Sequence, residues 1–403
     1  MTKTTLKFYA GTKTIGGTIF EVVYGNERFI CDFGRGPLSP LYDDRILMPE
    51  DIGHLKKVKM LPDIKDFYEP SDIRTVVGIS HMHLDHMELL GYIPAHIPVW
   101  VSHESKELYA SLTKIGDGQL GVDADRLTAV DYHRGYTVGE HITITYFPVT
   151  HDVIGASAIL IETPDTRIMY SGDIRLRPED KETHTWLKET HDIDYLIIET
   201  TSFSFDVRDK EVSERYQVGD HNHYMLNIYQ RNIKRIREWI EFTRDHHYTF
   251  VVDQRIAVLI DDLIETDTAH CYYYKVPQTD EQVNMPEINL EEAVEMDKVI
   301  IQHDFTNFRQ LLELDLSPFK YLHQNGMPLG EYDSGFVVMM AWLELLEMEY
   351  VPLHDSGHAT TEQLEQVVET IQPRVLIPQH GFRPELLDYH TRILPEIGKE
   401  YIL

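Results

Sequence analysis

Four side chains able to bind a metal ion fall within six residues in the run His81-Met82-His83-Leu84-Asp85-His86. Imidazole and carboxylate are the donors that hydrolytic Zn²⁺ and Mn²⁺ sites use. The apolar run Val76-Val77-Gly78-Ile79 just before them reads as a buried strand. Placed past its end, His81 and His83 can face one ion while Asp85 and His86 face a second. Two ions about 3.5–4 Å apart form the water-activating clamp of many phosphoesterases. A surface histidine cluster would have the same composition, but the rest of the chain supplies further donors.

His151 follows the alternating strand Ile142 to Phe147. Asp173 sits in Ser171-Gly172-Asp173, where glycine lets the backbone turn the carboxylate back toward a site. His380 follows the apolar run Val375-Leu376-Ile377. Taken singly, His151 reads as an ordinary surface or core histidine and Gly172-Asp173 as a turn. Together with the first run they make seven donors: His81, His83, Asp85, His86, His151, Asp173 and His380. Asp173 is the natural bridge, since a carboxylate can give one oxygen to each of two ions. Asp32, in Ile30-Cys31-Asp32-Phe33-Gly34, is placed to fix a histidine tautomer from outside the donor set, or else to cap a turn.

The elements that must position these residues are strand-rich. Lys7 to Tyr9, Thr18 to Tyr24 and Arg28 to Asp32 read as strands, with Gly25-Asn26 as a hairpin turn. Further strands are expected at Thr75 to Ile79, Val99 to Ser102, Ile142 to Phe147, Ser157 to Glu162, Arg167 to Tyr170 and Tyr195 to Ile198. The pattern changes after Phe205. Residues 206–349 carry long helix-like segments, among them Asn227 to Thr243 and Ala257 to Ile264, and hold 13 basic against 28 acidic residues. Strand character returns at Tyr350. This divides the chain into an opening segment, residues 1–205, an insert, residues 206–349, and a completing segment, residues 350–403. The architecture expected is α/β, of stacked sheets with helices outside.

Composition sets the bounds. The chain has 403 residues with 37 basic against 67 acidic side chains, a formal charge of −30. That works against tight non-specific nucleic-acid binding, which depends on Lys and Arg. Divalent cations would nonetheless put positive charge where a phosphate must sit. Only Cys31 and Cys271 are present, so neither a disulfide framework nor a thiolate metal site is expected. No apolar run is long enough to span a bilayer, and the N-terminus lacks the apolar core of a signal peptide. The expectation is a cytoplasmic protein with no membrane partner and with self-association left open.

The ordered set Asp32, His81-x-His83-x-Asp85-His86, His151 and Asp173 resembles the metallo-β-lactamase fold superfamily over residues 1–205 and 350–403. The resemblance implies an αββα four-layer sandwich with a dinuclear site at one edge of its sheets. Three later features narrow it. Glu199 ends the apolar run Leu196-Ile197-Ile198, His358 lies in Ser356-Gly357-His358-Ala359, and His380 follows in His380-Gly381. These look like the β-CASP branch, of the ribonuclease J-like kind, with an inserted β-CASP-like α/β domain. Thr249-Phe250-Val251-Val252-Asp253-Gln254-Arg255 resembles the strand-to-helix entry of that domain, although Asp253 is unexpected. Arg231 to Arg237 is the basic cluster of the insert and reads as a solvated helix face more readily than as an RNA contact.

Thr360-Thr361-Glu362-Gln363, followed by Leu364, Val367, Val368 and Ile371, reads as a capping box opening an amphipathic helix. Ser356, Gly357, His358 and Ala359 would then lie where helix N–H groups favour phosphate. The resemblance implies catalytic parts for Asp85, Asp173, Glu199 and His358. His358 would protonate the leaving oxygen and Glu199 would orient it, while hydroxide generated between two ions attacks phosphorus. The plainer readings of His358 are an eighth donor or a structural cap. The expected activity is that of a ribonuclease acting on single-stranded RNA in processing or decay, with two divalent ions, Zn²⁺ or alternatively Mn²⁺. Two rivals stand beside it: a small-molecule metallo-hydrolase acting on a lactone, thioester or cyclic phosphodiester, and a non-catalytic RNA-processing scaffold, which should have lost donors.

Overall fold

The computed structural model describes residues 2–403 apart from 38, 42–45, 47, 49, 120, 206–217, 219–220, 331–332 and 354. The chain forms two compact units. One comprises Met1–Ala110, Gln119–Arg208 and Gly357–Leu403, the other Ser111–Gly118 and Asp209–Ser356. Residue 206, the expected start of the insert, lies outside the described residues.

The first unit contains two sheets. The seven-stranded one runs in the order Glu400–Ile402, Thr5–Ala10, Ile19–Tyr24, Glu27–Cys31, Arg74–Gly78, Val99–Ser102, Leu127–Val130. The six-stranded one runs Val375–Gln379, Tyr195–Glu199, Thr166–Tyr170, Ser157–Thr163, Thr143–Pro148, Gly135–Thr137. Alternation along the strands decides what faces inward. Leu6, Phe8, Phe20, Val22 and Phe29 from the first sheet meet Ile144, Tyr146, Ile159, Ile161, Tyr170 and Ile197 from the second in one buried cluster. Gly25-Asn26 closes the hairpin Tyr24↔Glu27 as expected, with Gly25 at φ +62.

The helices Lys181–Glu189 and Thr361–Ile371 each bury one face, through Trp186 and Leu187 and through Leu364, Val367, Val368 and Ile371. Two stacked sheets with helices packed outside agree with the expected αββα sandwich. The expected capping box is present: Gln363 N–H donates to Thr360 Oγ1 at 3.3 Å, and Thr360 N–H to Gln363 Oε1 at 3.0 Å. Among the described residues no helix is long and apolar enough to cross a membrane.

Strand direction brings the candidate residues to one edge. Glu27–Cys31 and Arg74–Gly78 are parallel, so Asp32 and the run from His81 leave their sheet side by side. Thr166–Tyr170, Tyr195–Glu199 and Val375–Gln379 are likewise parallel neighbours, so Asp173, Glu199 and His380 stand in a row. Thr143–Pro148, antiparallel to the strand that is antiparallel to Thr166–Tyr170, delivers His151 to the same edge.

The second unit corrects some of the sequence reading. It is built on a six-stranded parallel sheet in the order Cys271–Tyr274, Thr249–Asp253, Val299–Gln302, His223–Ile228, Lys320–Gln324, Glu349–Pro352. The helix expected from Asn227 to Thr243 is instead the strand His223–Ile228 and the helix Ile233–Asp245. Asn232 breaks the pattern by accepting the Arg235 N–H at 3.0 Å as the helix cap. Tyr350 is not the return to the first unit. It pairs with Tyr321, and the chain re-enters the first unit at Gly357.

The basic cluster is also less available than its charge suggests. Arg231 and Arg235 are buried, paired with Asp117 and with Asp355 and Glu238. Asp253, unexpected in the sequence, accepts the Ile256 N–H at 3.0 Å to start the helix Gln254–Leu263 and binds Arg255 at 2.8 Å.

Candidate metal centre

Past the end of Arg74–Gly78 the chain turns into a short helix, Leu84–Met87. This turn presents His81, His83, Asp85 and His86 from about two turns of backbone. Gly34 lies so close that a Cβ there would run into the Asp85 carbonyl. Gly172, at φ +57, brings the chain against the Ser157 carbonyl, 2.6 Å from where its Cβ would be, and so swings Asp173 inward.

All seven expected donors are brought together. His81, His83 and His151 form one group of converging donor atoms, Asp85, His86 and His380 another, and His81, His86 and Asp173 a third. Asp173 Oδ2 is the hub. It lies 3.4 Å from His86 Nε2, 3.8 Å from His380 Nε2 and 3.9 Å from Nε2 of both His81 and His151. His81 Nε2 and Asp173 Oδ1 are buried yet make no hydrogen bond among the described residues. Buried polar atoms are ordinarily satisfied, so orphans converging with five imidazoles and two carboxylates fit a cation.

The histidines are held from behind. His86 Nδ1 lies 2.8 Å from Asp32 Oδ2, His81 Nδ1 lies 3.0 Å from Ser80 Oγ, and His380 Nδ1 lies 3.0 Å from Thr201 Oγ1. His151 Nδ1 donates to the Gly357 carbonyl at 2.7 Å. With their outer nitrogens engaged, these rings turn Nε2 inward. Asp32 thus takes the supporting place expected of it, and also accepts from Ser80 N, Ser80 Oγ and Tyr170 Oη at 2.7, 2.9 and 2.7 Å. Asp32 and His380 both sit at positive φ, 58 and 56. Non-glycine residues held there are strained and gather at functional sites.

Burial, reinforced by the neighbouring imidazoles, keeps His81 well below the usual histidine range. Burial, partly opposed by Asp152, holds His83 down at about 4. Both are therefore neutral lone-pair donors at pH 7. Burial also opposes charge on His86, but Asp173, Asp85 and Asp32 overcome it and raise its affinity for a proton. The carboxylates thus make a cavity that favours positive charge.

His358 and Glu199 form a separate pair on the same hub. His358 Nδ1 lies 2.9 and 3.0 Å from the two Glu199 oxygens and 3.9 Å from Asp173 Oδ2. Burial disfavours the imidazolium, yet the Glu199 carboxylate outweighs it and pushes His358 up to about 10, so it carries a proton at neutral pH. His151, Asp173 and His358 also converge closely enough to share an ion.

The expected phosphate loop is modified. The Ala359 N–H already donates to the Ile174 carbonyl at 2.7 Å, and the capping box occupies the Thr360 and Gln363 amides. Ala359 is therefore withdrawn from phosphate binding, because its one donor is spent inside the fold. Ser80, Asp152, Tyr170 and Thr201 are not singled out by the sequence. Only Asp152 carries a signal there, its place beside His151.

Residues 59–229 match the family model described as a beta-lactamase superfamily domain. Ribonuclease J of Pyrococcus abyssi is 26% identical over 182 residues, 42% of this chain and 38% of that protein. Endoribonuclease YSH1 of Gibberella zeae is 26% identical over 214 residues, 47% of this chain and 23% of that protein. The matches thus span well under half the length of these curated relatives. A crystal structure of a protein of unknown function from Enterococcus faecalis V583 is 28% identical, with both chains 100% covered and a TM-score of 0.82.

Proposed function

We propose that this chain, which belongs to the metallo-β-lactamase fold superfamily and resembles its β-CASP branch, is a two-metal phosphodiesterase that cleaves single-stranded RNA in the cytoplasm. The observation that carries the reading is the hub at Asp173, whose Oδ2 lies within 3.9 Å of Nε2 of His81, His86, His151 and His380 and of His358 Nδ1. His81, His83 and His151 would hold one divalent ion and Asp85, His86 and His380 the other, with Asp173 shared. Zn²⁺ suits a set rich in imidazole, and Mn²⁺ is the alternative. Two such ions would lower the pKa of a water and neutralise the phosphate's charge.

The chain's own residues supply the rest. Asp32, Ser80, Thr201 and the Gly357 carbonyl fix the donor rings before substrate arrives. His358 carries the proton that the departing oxygen needs, and Glu199 keeps it charged and oriented. Asp85 and Asp173 offset the positive charge of the ions.

The net charge of −30 favours a second reading, hydrolysis of a small lactone, thioester or cyclic phosphodiester on the same centre. One experiment separates the two. Protein loaded with Zn²⁺ or Mn²⁺ is incubated with end-labelled single-stranded RNA bearing a 5′-phosphate or 5′-hydroxyl, beside a lactone, a thioester and a cyclic dinucleotide. RNA cleavage that is lost in Asp173→Asn supports the ribonuclease. Turnover confined to a small ester or cyclic dinucleotide supports the second reading.

A further inference from the structure

Ser334–Leu345 is a helix of the second unit that lies against the edge strand Glu349–Pro352. Its inner face buries Met339 and Leu343 in the core of that unit, with Phe336, Met340 and Leu346 partly buried beside them. A surface helix of this kind normally turns charged and polar residues outward. This one does not. Val337 is 72% exposed, Val338 50% and Leu345 65%, with Ala341 exposed between them. At four-residue spacing, Val337, Ala341 and Leu345 form one stripe along the helix. Glu344 is the only charged residue from Ser334 to Leu345. The stripe ends in an open notch of about 220 Å³, walled by Leu312, Leu314, Leu316, Leu345 and Leu346. Contiguous apolar surface with a polar rim marks an interaction site.

The rim narrows the occupant. Asp315 and Glu347 line the notch, and Glu313 and Glu344 stand beside Leu312 and Leu345; all four acids are exposed. Residues 312–317 and 333–349 contain no Lys, Arg or His. Lys320, just beyond the first stretch, is spent on Glu349 at 2.8 Å. An acidic rim repels RNA and anionic lipid, which are bound through Lys and Arg. It also opposes a second copy of the chain, which would bring the same acids against it.

We propose that this face docks a partner protein through a basic amphipathic helical segment. Leucine-like side chains of that segment enter the notch and cover the stripe. Lys or Arg on either side of them meets Glu313, Asp315, Glu344 and Glu347. The apolar contacts supply the affinity and the charges select the partner. The proposal is independent of the metal centre.

The test uses the full chain and a labelled helical peptide built of Leu and Lys, with leucines at i, i+3, i+4 and i+7. Binding is followed by fluorescence anisotropy. A scrambled peptide of the same composition and a helical one with Glu in place of Lys are the controls. The helical Leu/Lys peptide should bind saturably, and both controls at least about tenfold more weakly. Leu345→Ser should weaken binding by about tenfold or more, as should Glu344→Lys/Glu347→Lys. These side chains are exposed, so thermal melting should match wild type. Glu365→Lys/Glu369→Lys makes the same charge change on the exposed side of Thr361–Ile371 and should bind as wild type does. The proposal is overturned if the helical peptide does not bind saturably, or if Glu365→Lys/Glu369→Lys weakens it equally, which would reduce the effect to overall charge. Sedimentation showing a dimer of the chain that Leu345→Ser dissolves would make the occupant a second copy. Binding of polyuridine or of phosphatidylglycerol vesicles that Leu345→Ser abolishes would make it RNA or a membrane. Either result also overturns the proposal.

Discussion

Asp32 Oδ2 lies 2.8 Å from His86 Nδ1, and both side chains are fully buried. One carboxylate thereby ties the end of Glu27–Cys31 to the run that follows Arg74–Gly78, and its remaining capacity goes to Ser80 and Tyr170. Asp32→Ala strands these buried donors. The expected loss is about 3–5 kcal/mol of stability in chemical denaturation. Asp32→Asn should fold closer to normally and show about 10–100-fold weaker zinc binding by chelator competition.

Asp173 reaches all five inward-facing nitrogens except that of His83 and also faces His358. Asp173→Asn should therefore reduce zinc content from about two ions per chain to about one or fewer, read by elemental analysis after reconstitution. His83→Ala, which removes a donor from one group only, should retain about one ion. Equal full loading of both variants would remove Asp173 from the centre.

His358 is separable from the donors if it acts as an acid. His358→Ala should keep near-normal metal content and lower RNA turnover by about 10²–10⁴-fold. An aryl phosphodiester has a leaving group that needs little protonation, so its hydrolysis should fall much less. Equal losses on both substrates would show that His358 positions phosphate. Loss of metal would make it a ligand, as the close grouping of His151, Asp173 and His358 would permit.

Glu27 reports on the fold remote from this chemistry. Burial pushes its carboxyl up, but the N–H groups of Glu140, His141 and Ile142 and the His141 ring together outweigh that and hold it at about 2, below its usual 4.5. A carboxyl with a depressed folded-state pKa adds stability above its unfolded value and loses it as pH falls. Glu27→Gln should cost about 2 kcal/mol at pH 7. The gap from wild type should shrink between pH 4.5 and about 2, followed by urea denaturation across that range.

The run from His81 to His86 was legible because its spacing and the strand before it are local facts. His151, Asp173 and His380 were legible only as an ordered set, since each alone has a plainer reading. The supports were not. Tyr170 meets Asp32 across 138 residues and Thr201 meets His380 across 179, distances at which no periodicity points. The second unit was misread where the buried strand Tyr224 to Ile228 merged with the amphipathic helix behind it, so a parallel sheet looked helical. A strand buried on both faces lacks the alternation that would have marked it. Tyr350 misled for the complementary reason: it lies in a strand, but of the sheet the chain was about to leave.

The strand Val375–Gln379 joins its sheet beside Tyr195–Glu199, and His380 behind it is the last donor in the chain. During synthesis, Asp32 through Glu199 emerge long before it, with the larger segment of the second unit, Asp209–Ser356, translated in between. A ribosome-bound chain therefore carries an incomplete set of donors until it is almost finished. Any product cut short ahead of His380 shares that defect, so premature termination yields a protein that can fold in some regions yet has no means of completing the centre.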